Sequence, residues 1–287
     1  MAIYYFRNTG NTDWGTATNW STTDGGPGDG AVPTSTDDVH FTSNSGNSVL
    51  SSNRSCYRLN TIGYTGTITI NSGIILTTGL TINLDTGTTI TGSGTWRING
   101  SGTFPIAADG VVNGINLSFI ASATVTFALS NTWNVNTLTL SSSALYMTGG
   151  NINVSGNLIL TAATNNIISP TMITLVGTGT WSGNFVLYNP LTINTSGTIT
   201  ISGTVQIFKS IVHTSGTVIT TGSTLFIATA INIDTSNILW NNISTSGTTT
   251  TFTLLSDLNI AGTLTTSAGQ TYTFNGFNIN ISGSLTN

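Results

Sequence analysis

The sequence predicts an all-β protein of the parallel β-helix, or β-solenoid, class with an N-terminal cap, and three observations predict it. The first is an internal repeat within residues 191–227, where Ile193 aligns with Val212, Gly197 with Gly216, Ile199 with Val218, Gly203 with Gly222 and Phe208 with Ile227. A period of about twenty residues made of strand and turn leaves no room for a helix, which is what stacked solenoid coils require. The second is a returning triplet of apolar, Thr or Asn, apolar, whose alternation sends two side chains inward and one to solvent. The third is composition: 38% of residues are hydrophobic and 5% charged, Glu is absent and Lys209 is the only lysine. Thr, Ser, Asn and Gly make up much of the rest, which suits a pleated surface and leaves little material for long helices.

Residues 1–54 differ in texture from the remainder of the chain. They hold Asp13, Asp24, Asp29, Asp37 and Asp38, with Trp14 and Trp20 and the Gly/Pro-rich loop from Asp24 to Pro33. That loop reads as an irregular connection. Short strands are expected at Ile3 to Phe6 and Val39 to Phe41, and the region as a cap and attachment segment over the first coil, since an end rung otherwise exposes apolar side chains and unpaired edges.

Residues 55–287 read as the solenoid itself. The triplets are Leu80-Thr81-Ile82, Leu138-Thr139-Leu140, Ile152-Asn153-Val154, Leu191-Thr192-Ile193, Ile231-Asn232-Ile233, Leu258-Asn259-Ile260 and Ile279-Asn280-Ile281. Glycines after them mark corners. Residues 98–130, with Pro105 and Asp109-Gly110, are the least regular stretch. The last coil, with Ile279, Ile281 and Leu285, shows strand pattern without an amphipathic helix or charged closing segment. Together with Ile3 and Tyr5 of the first strand, these residues are the candidates for an assembly surface, with folding of Leu285 and the loops over the end as the alternative.

Charge and cysteine content exclude several functions. The net charge is −4, with Arg7, Arg54, Arg58 and Arg97 beside Lys209, too few to build a phosphate-binding patch, so no nucleic-acid partner is expected. No apolar run approaches the length of a membrane span, so no membrane insertion is expected. Cys56 stands alone and makes no internal disulfide, and Met1 to Arg7 lack the pattern of a secretory signal.

The stretch Cys56, Leu59 and Gly63-Tyr64-Thr65-Gly66-Thr67, leading into Gly-punctuated Thr-rich strands, resembles the β-strand-repeat virion proteins of tailed bacteriophages and environmental viral genomes. Trp14 and Ala17-Thr18-Asn19-Trp20-Ser21 are similar to the opening of many such chains. The likeness covers roughly the first ninety residues by motif and the remainder by texture. It implies a fibre, spike or decoration protein located on the virion, with other copies of itself or another virion protein as partners and a host surface glycan as a further contact. It carries over no catalytic residues. A self-assembling extracellular filament or adhesin of a bacterium and a β-helical polysaccharide-degrading tailspike stand as alternatives.

No catalytic or metal-binding constellation emerges. Glycoside hydrolysis needs two facing carboxylates. Asp37 and Asp38 are adjacent and point to opposite faces of a strand, while Asp85, Asp109, Asp234 and Asp257 read as solvated turn residues. His40 and His213 have no ligands at metal spacing and read as surface or strand-facing side chains. Asp24, Asp29, Asp37 and Asp38 can be imagined around a Ca²⁺, but turns use Asp without a metal. No enzyme activity and no cofactor are therefore expected. Trp96 and Trp181, in matching Gly-Thr-Trp contexts, and Trp240 are the candidate glycan contacts, because exposed aromatics stack on sugar rings. Packing in the core is the alternative for them.

Overall fold

The computed structural model describes residues 1–100, 104–120, 124–141, 144–161, 172–183, 186–187, 190–246 and 251–287, without the side chains of Leu80, 104–108, 124–127, 144–148 and Val186. The chain is all-β and forms a parallel β-solenoid. It divides into two compact units, Met1–Asn151 and Ile152–Asn287.

In the first unit, strand Ile3–Phe6 runs antiparallel to Trp20–Ser21 and parallel to Asp38–His40. Asp38–His40 continues into a parallel ladder with Arg54–Asn60 and Ile75–Leu84. A second ladder stacks Ser48–Leu50, Thr67–Ile70, Thr89–Gly92, Val111–Asn113 and Thr132–Val135. A third stacks Ile75–Leu84, Thr95–Ile98, Asn116–Phe119 and Leu138–Leu140. One step costs 20 residues at Leu76↔Trp96 and 23 at Leu59↔Ile82, so coils differ mainly in their corners.

Residues 1–54 are therefore more than a lid, because Asp38–His40 and Ser48–Leu50 are themselves rungs of the ladders. The covering part is an aromatic plug. Phe6, Trp14, Trp20 and Phe41 are fully buried, with ring centroids 5.0 Å apart for Trp14–Trp20 and 5.1 Å for Phe6–Phe41. Trp20 donates its indole N–H to Trp14 O at 2.8 Å. Tyr64 extends the plug onto the ladder, 5.1 Å from Phe41. Large rings cover the apolar end of the first turn with few residues.

The core is a set of stacked columns. Ile68, Ile90 and Val112 follow one another in register, as do Leu76, Trp96, Leu117 and Leu138, and all are buried. Each buried aliphatic side chain contributes about 1.5–3 kcal/mol, so repetition of this one contact holds the stack.

In the second unit, Met172–Leu175, Leu191–Ser202, Ile211–Ile219, Ile231–Asp234, Thr251–Leu254 and Thr271–Thr273 form one parallel ladder. Val186–Leu187, Thr204–Ile207, Thr224–Ile227, Asn242–Thr245, Thr263–Thr265 and Ser284–Thr286 form a second. Leu239–Trp240, Leu258–Ile260 and Ile279–Ile281 form a third.

The repeat register read from the sequence needs correction. Ile193 pairs with His213, not Val212, and register shifts at Ile193/Asn194 and between Asn194 and Thr198 restore the spacing before Ile199 pairs with Val218 as expected. Ile207, not Phe208, pairs with Ile227. His213 thus takes an inward slot at 8% exposure. Its Nδ1 faces Ser236 O and its Nε2 faces Gly216 O at 3.2 Å, so backbone carbonyls meet both ring nitrogens.

The triplets behave as predicted at Leu138/Leu140, Ile152/Val154, Leu191/Ile193, Ile231/Ile233 and Leu258/Ile260, all buried. Ile82 is buried as well, and the side chain of its partner Leu80 lies outside the described residues. Ile279 and Ile281 are only half-buried, because no rung lies on their outer side among the described residues.

Candidate functional site

The three candidate glycan tryptophans are not on the surface. Trp96, Trp181 and Trp240 are each 0% exposed. The reason lies in strand phase: Trp96 pairs with Leu76 and Leu117, Trp181 with Leu158 and Ile201, and Trp240 with Ile260, all inward positions. Trp96 is further fixed by donation from Nε1 to Thr78 Oγ1 at 2.9 Å and by contact with Trp133 at 5.7 Å. A sugar cannot stack on these rings in the folded chain, and the glycan-contact expectation for them is withdrawn.

The candidate assembly residues divide. Ile3 is 44% exposed, but Tyr5 is half-buried, packs on the His40 ring at 5.2 Å, and has backbone partners on both sides, Ser21 and His40. Strand Ile3–Phe6 therefore offers no open edge at Tyr5. In the second unit Thr271–Thr273, Ile279–Ile281 and Ser284–Thr286 each pair inward only, among the described residues. Leu285 is 63% exposed there, and so are two residues that sequence reasoning passed over, Phe274 at 47% and Phe277 at 37%. These two phenylalanines flank the turn Asn275-Gly276, whose φ values of 49° and 85° and Phe277 N–H to Phe274 O bond of 2.8 Å present both rings outward. The Asn-Gly dipeptide between aromatics was the available signal.

The carboxylates do not converge. Asp24 accepts from Thr42 Oγ1 at 2.7 Å, and Asp29 accepts from Thr22 N–H and Oγ1, both at 3.1 Å. Asp37 accepts from Ala2 N–H, Thr34 N–H and Thr34 Oγ1. The Thr22 N–H bond comes first among the causes that hold the Asp29 pKa below its ordinary value. Asp38 faces inward, opposite to Asp37 as their adjacency on a strand predicts: it is 4% exposed and faces Arg58 at 3.5 Å. Among the described residues no three His, Cys, Asp or Glu side chains stand together as metal ligands. His40 is half-buried, which lowers its pKa, and burial pushes the Cys56 thiol far up, removing it from thiolate chemistry at neutral pH. No helix among the described residues is long and apolar enough to cross a membrane.

What the second unit offers is an uncharged, partly apolar outer rung that pairs with no further strand among the described residues. From residue 258 to residue 287 there is no Asp, Glu, Lys, Arg or His. No protein-family model, no curated protein and no solved structure matches the chain.

Proposed function

We propose that the protein is a non-enzymatic structural component of a bacteriophage particle, a fibre, spike or decoration protein, that works by stacking its terminal rung on another copy of itself or on another virion protein. The observation that carries this reading is that Thr271–Thr273, Ile279–Ile281 and Ser284–Thr286 pair on one side only among the described residues, beside exposed Phe274, Phe277 and Leu285. Unpaired strand edges pair readily with other strands, and an uncharged edge places no like charges in the way. The resemblance of the Trp14–Thr67 region to phage β-strand-repeat proteins supports placement on a virion. Contact with a host surface would then gain from the many copies that a particle carries.

The test is immunogold labelling with antibody against the purified chain, applied to particles concentrated from the culture or community that carries the gene. Label on tailed particles supports the reading. Label confined to cell surfaces or shed filaments replaces it with the bacterial adhesin.

A further inference from the structure

The five cationic side chains of this protein are unequally employed. Arg7 donates to Gly26 O at 2.9 Å and to Thr18 O at 2.6 Å. Arg58 faces Asp38 and lies 5.4 Å over the Tyr57 ring. Arg54 and Arg97 are half-buried, and among the described residues neither has a hydrogen-bond or ion-pair partner. The Arg54 Nε is enclosed with no acceptor. Both line one pocket of about 240 Å³ with Asn53, Ser55, Ile75 and Thr77.

Register explains the convergence. Ser55 pairs with Thr77 and Thr77 with Arg97, so three successive turns place these side chains in one outward column. Turns stack about 4.8 Å apart, which sets the backbones at Ser55 and Arg97 about 10 Å apart. Arg54 enters from the neighbouring position, its guanidinium held against Gly15, where a Cβ would lie 2.0 Å from Nη2. Asp13 feels the charge of Arg54, but its Oδ1 already accepts from Ser51 Oγ at 2.8 Å and Gly15 N–H at 3.2 Å.

A guanidinium drawn partly out of water with no hydrogen-bond acceptor loses hydration that, at Arg54, the nearby Asp13 charge offsets only in part. Its planar fork matches a carboxylate or sulfate, and the adjacent hydroxyls and the Asn53 amide can bond sugar hydroxyls. We infer that this pocket binds the oxyanion of an acidic saccharide, a single ring bearing a carboxylate or a sulfate.

The experiment is titration of the full chain with glucuronate, glucose 6-sulfate and neutral glucose, followed by amide shifts of residues 53–55, 75–77 and 97. Saturable shifts are expected with one or both anions and not with glucose, and the two arms separate carboxylate from sulfate. Arg97→Gln should weaken binding about tenfold or more, with Arg97→Lys weakening it less. Arg97 points outward and is the informative position, because Arg54 packs against Gly15 and its replacement disturbs the fold. Absence of shifts with both anions, equal response to glucose, or binding unaffected by Arg97→Gln would overturn the inference. Binding by a chain that never stacks leaves this site standing and removes only the assembly role; stacking without binding does the reverse.

Discussion

Replacing Trp96 and Trp181 by Phe, one at a time, separates two indoles that burial alone makes equal. Both are 0% exposed. The smaller ring leaves a residual void at either site, at a cost of about 1 kcal/mol. At Trp96 the change also removes the donor to Thr78 Oγ1, a buried bond of 2.9 Å, and strands that hydroxyl, for a further cost of about 1–3 kcal/mol. At Trp181 the indole N–H is enclosed without an acceptor among the described residues, so deleting it relieves a desolvation penalty of about the same size. Trp96→Phe is expected to cost about 2–4 kcal/mol and Trp181→Phe to be neutral or stabilising by up to about 2 kcal/mol. Guanidinium unfolding followed by far-UV circular dichroism reads both, each variant against the transition of its own unit, because repeat proteins need not unfold in one step. The Trp96 variant should also lose near-ultraviolet dichroism from its contact with Trp133. Equal costs at the two sites would refute the reasoning about the indole N–H, and a neutral Trp96→Phe would refute the buried hydrogen bond.

Backbone conformation and acid response give two further tests. Gly92 has a φ of 119°, and a Cβ there would lie 2.1 Å from Ile70 O, whereas Gly63 at φ 75° has open space around it. Gly92→Ala should therefore cost more than about 2 kcal/mol and Gly63→Ala only about 1 kcal/mol, and calorimetry showing the reverse order would contradict the corner geometry. At Asp37 burial acts to raise the pKa, but hydrogen bonds from Ala2 N–H and Thr34 outweigh it and hold the carboxyl below its ordinary 3.8. A depressed folded pKa gives stability that is present above the unfolded value and lost as pH falls through the folded one. The first unit should weaken as pH drops below the ordinary carboxylate range, and Asp37→Asn should flatten that slope; an unchanged slope would show that the bonds do not favour the charged form.

The class of fold was legible because the triplets carry it locally. At Leu138-Thr139-Leu140 or Leu258-Asn259-Ile260 the alternation alone says which side chains face inward, and they do. Register was less legible, because a corner can absorb a residue without leaving a mark: His213 entered the column that Val212 was expected to fill. The tryptophans misled for a related reason. A Gly-Thr-Trp context fixes neither face, and only the strand pairing of Trp96 with Leu76 and Leu117 settles that the ring points inward. That Asp37 and Asp38 take opposite faces was legible from their adjacency, but not that Asp38 meets Arg58, because that partner is set by the pairing of successive turns. The pocket at Arg54 and Arg97 was hidden likewise, since residues 43 positions apart meet only when the coils are counted correctly.

Sedimentation velocity over a wide concentration range, run on the parent chain and on a Phe274→Lys/Leu285→Lys variant, tests the stacking claim most directly. Lysine on an exposed edge opposes strand pairing without entering the core, so the variant should fold as the parent does. The account predicts a parent whose sedimentation coefficient rises with concentration and a variant that stays at the value of the single chain. A parent that remains a single chain at every concentration, or a variant that associates as the parent does, would contradict it.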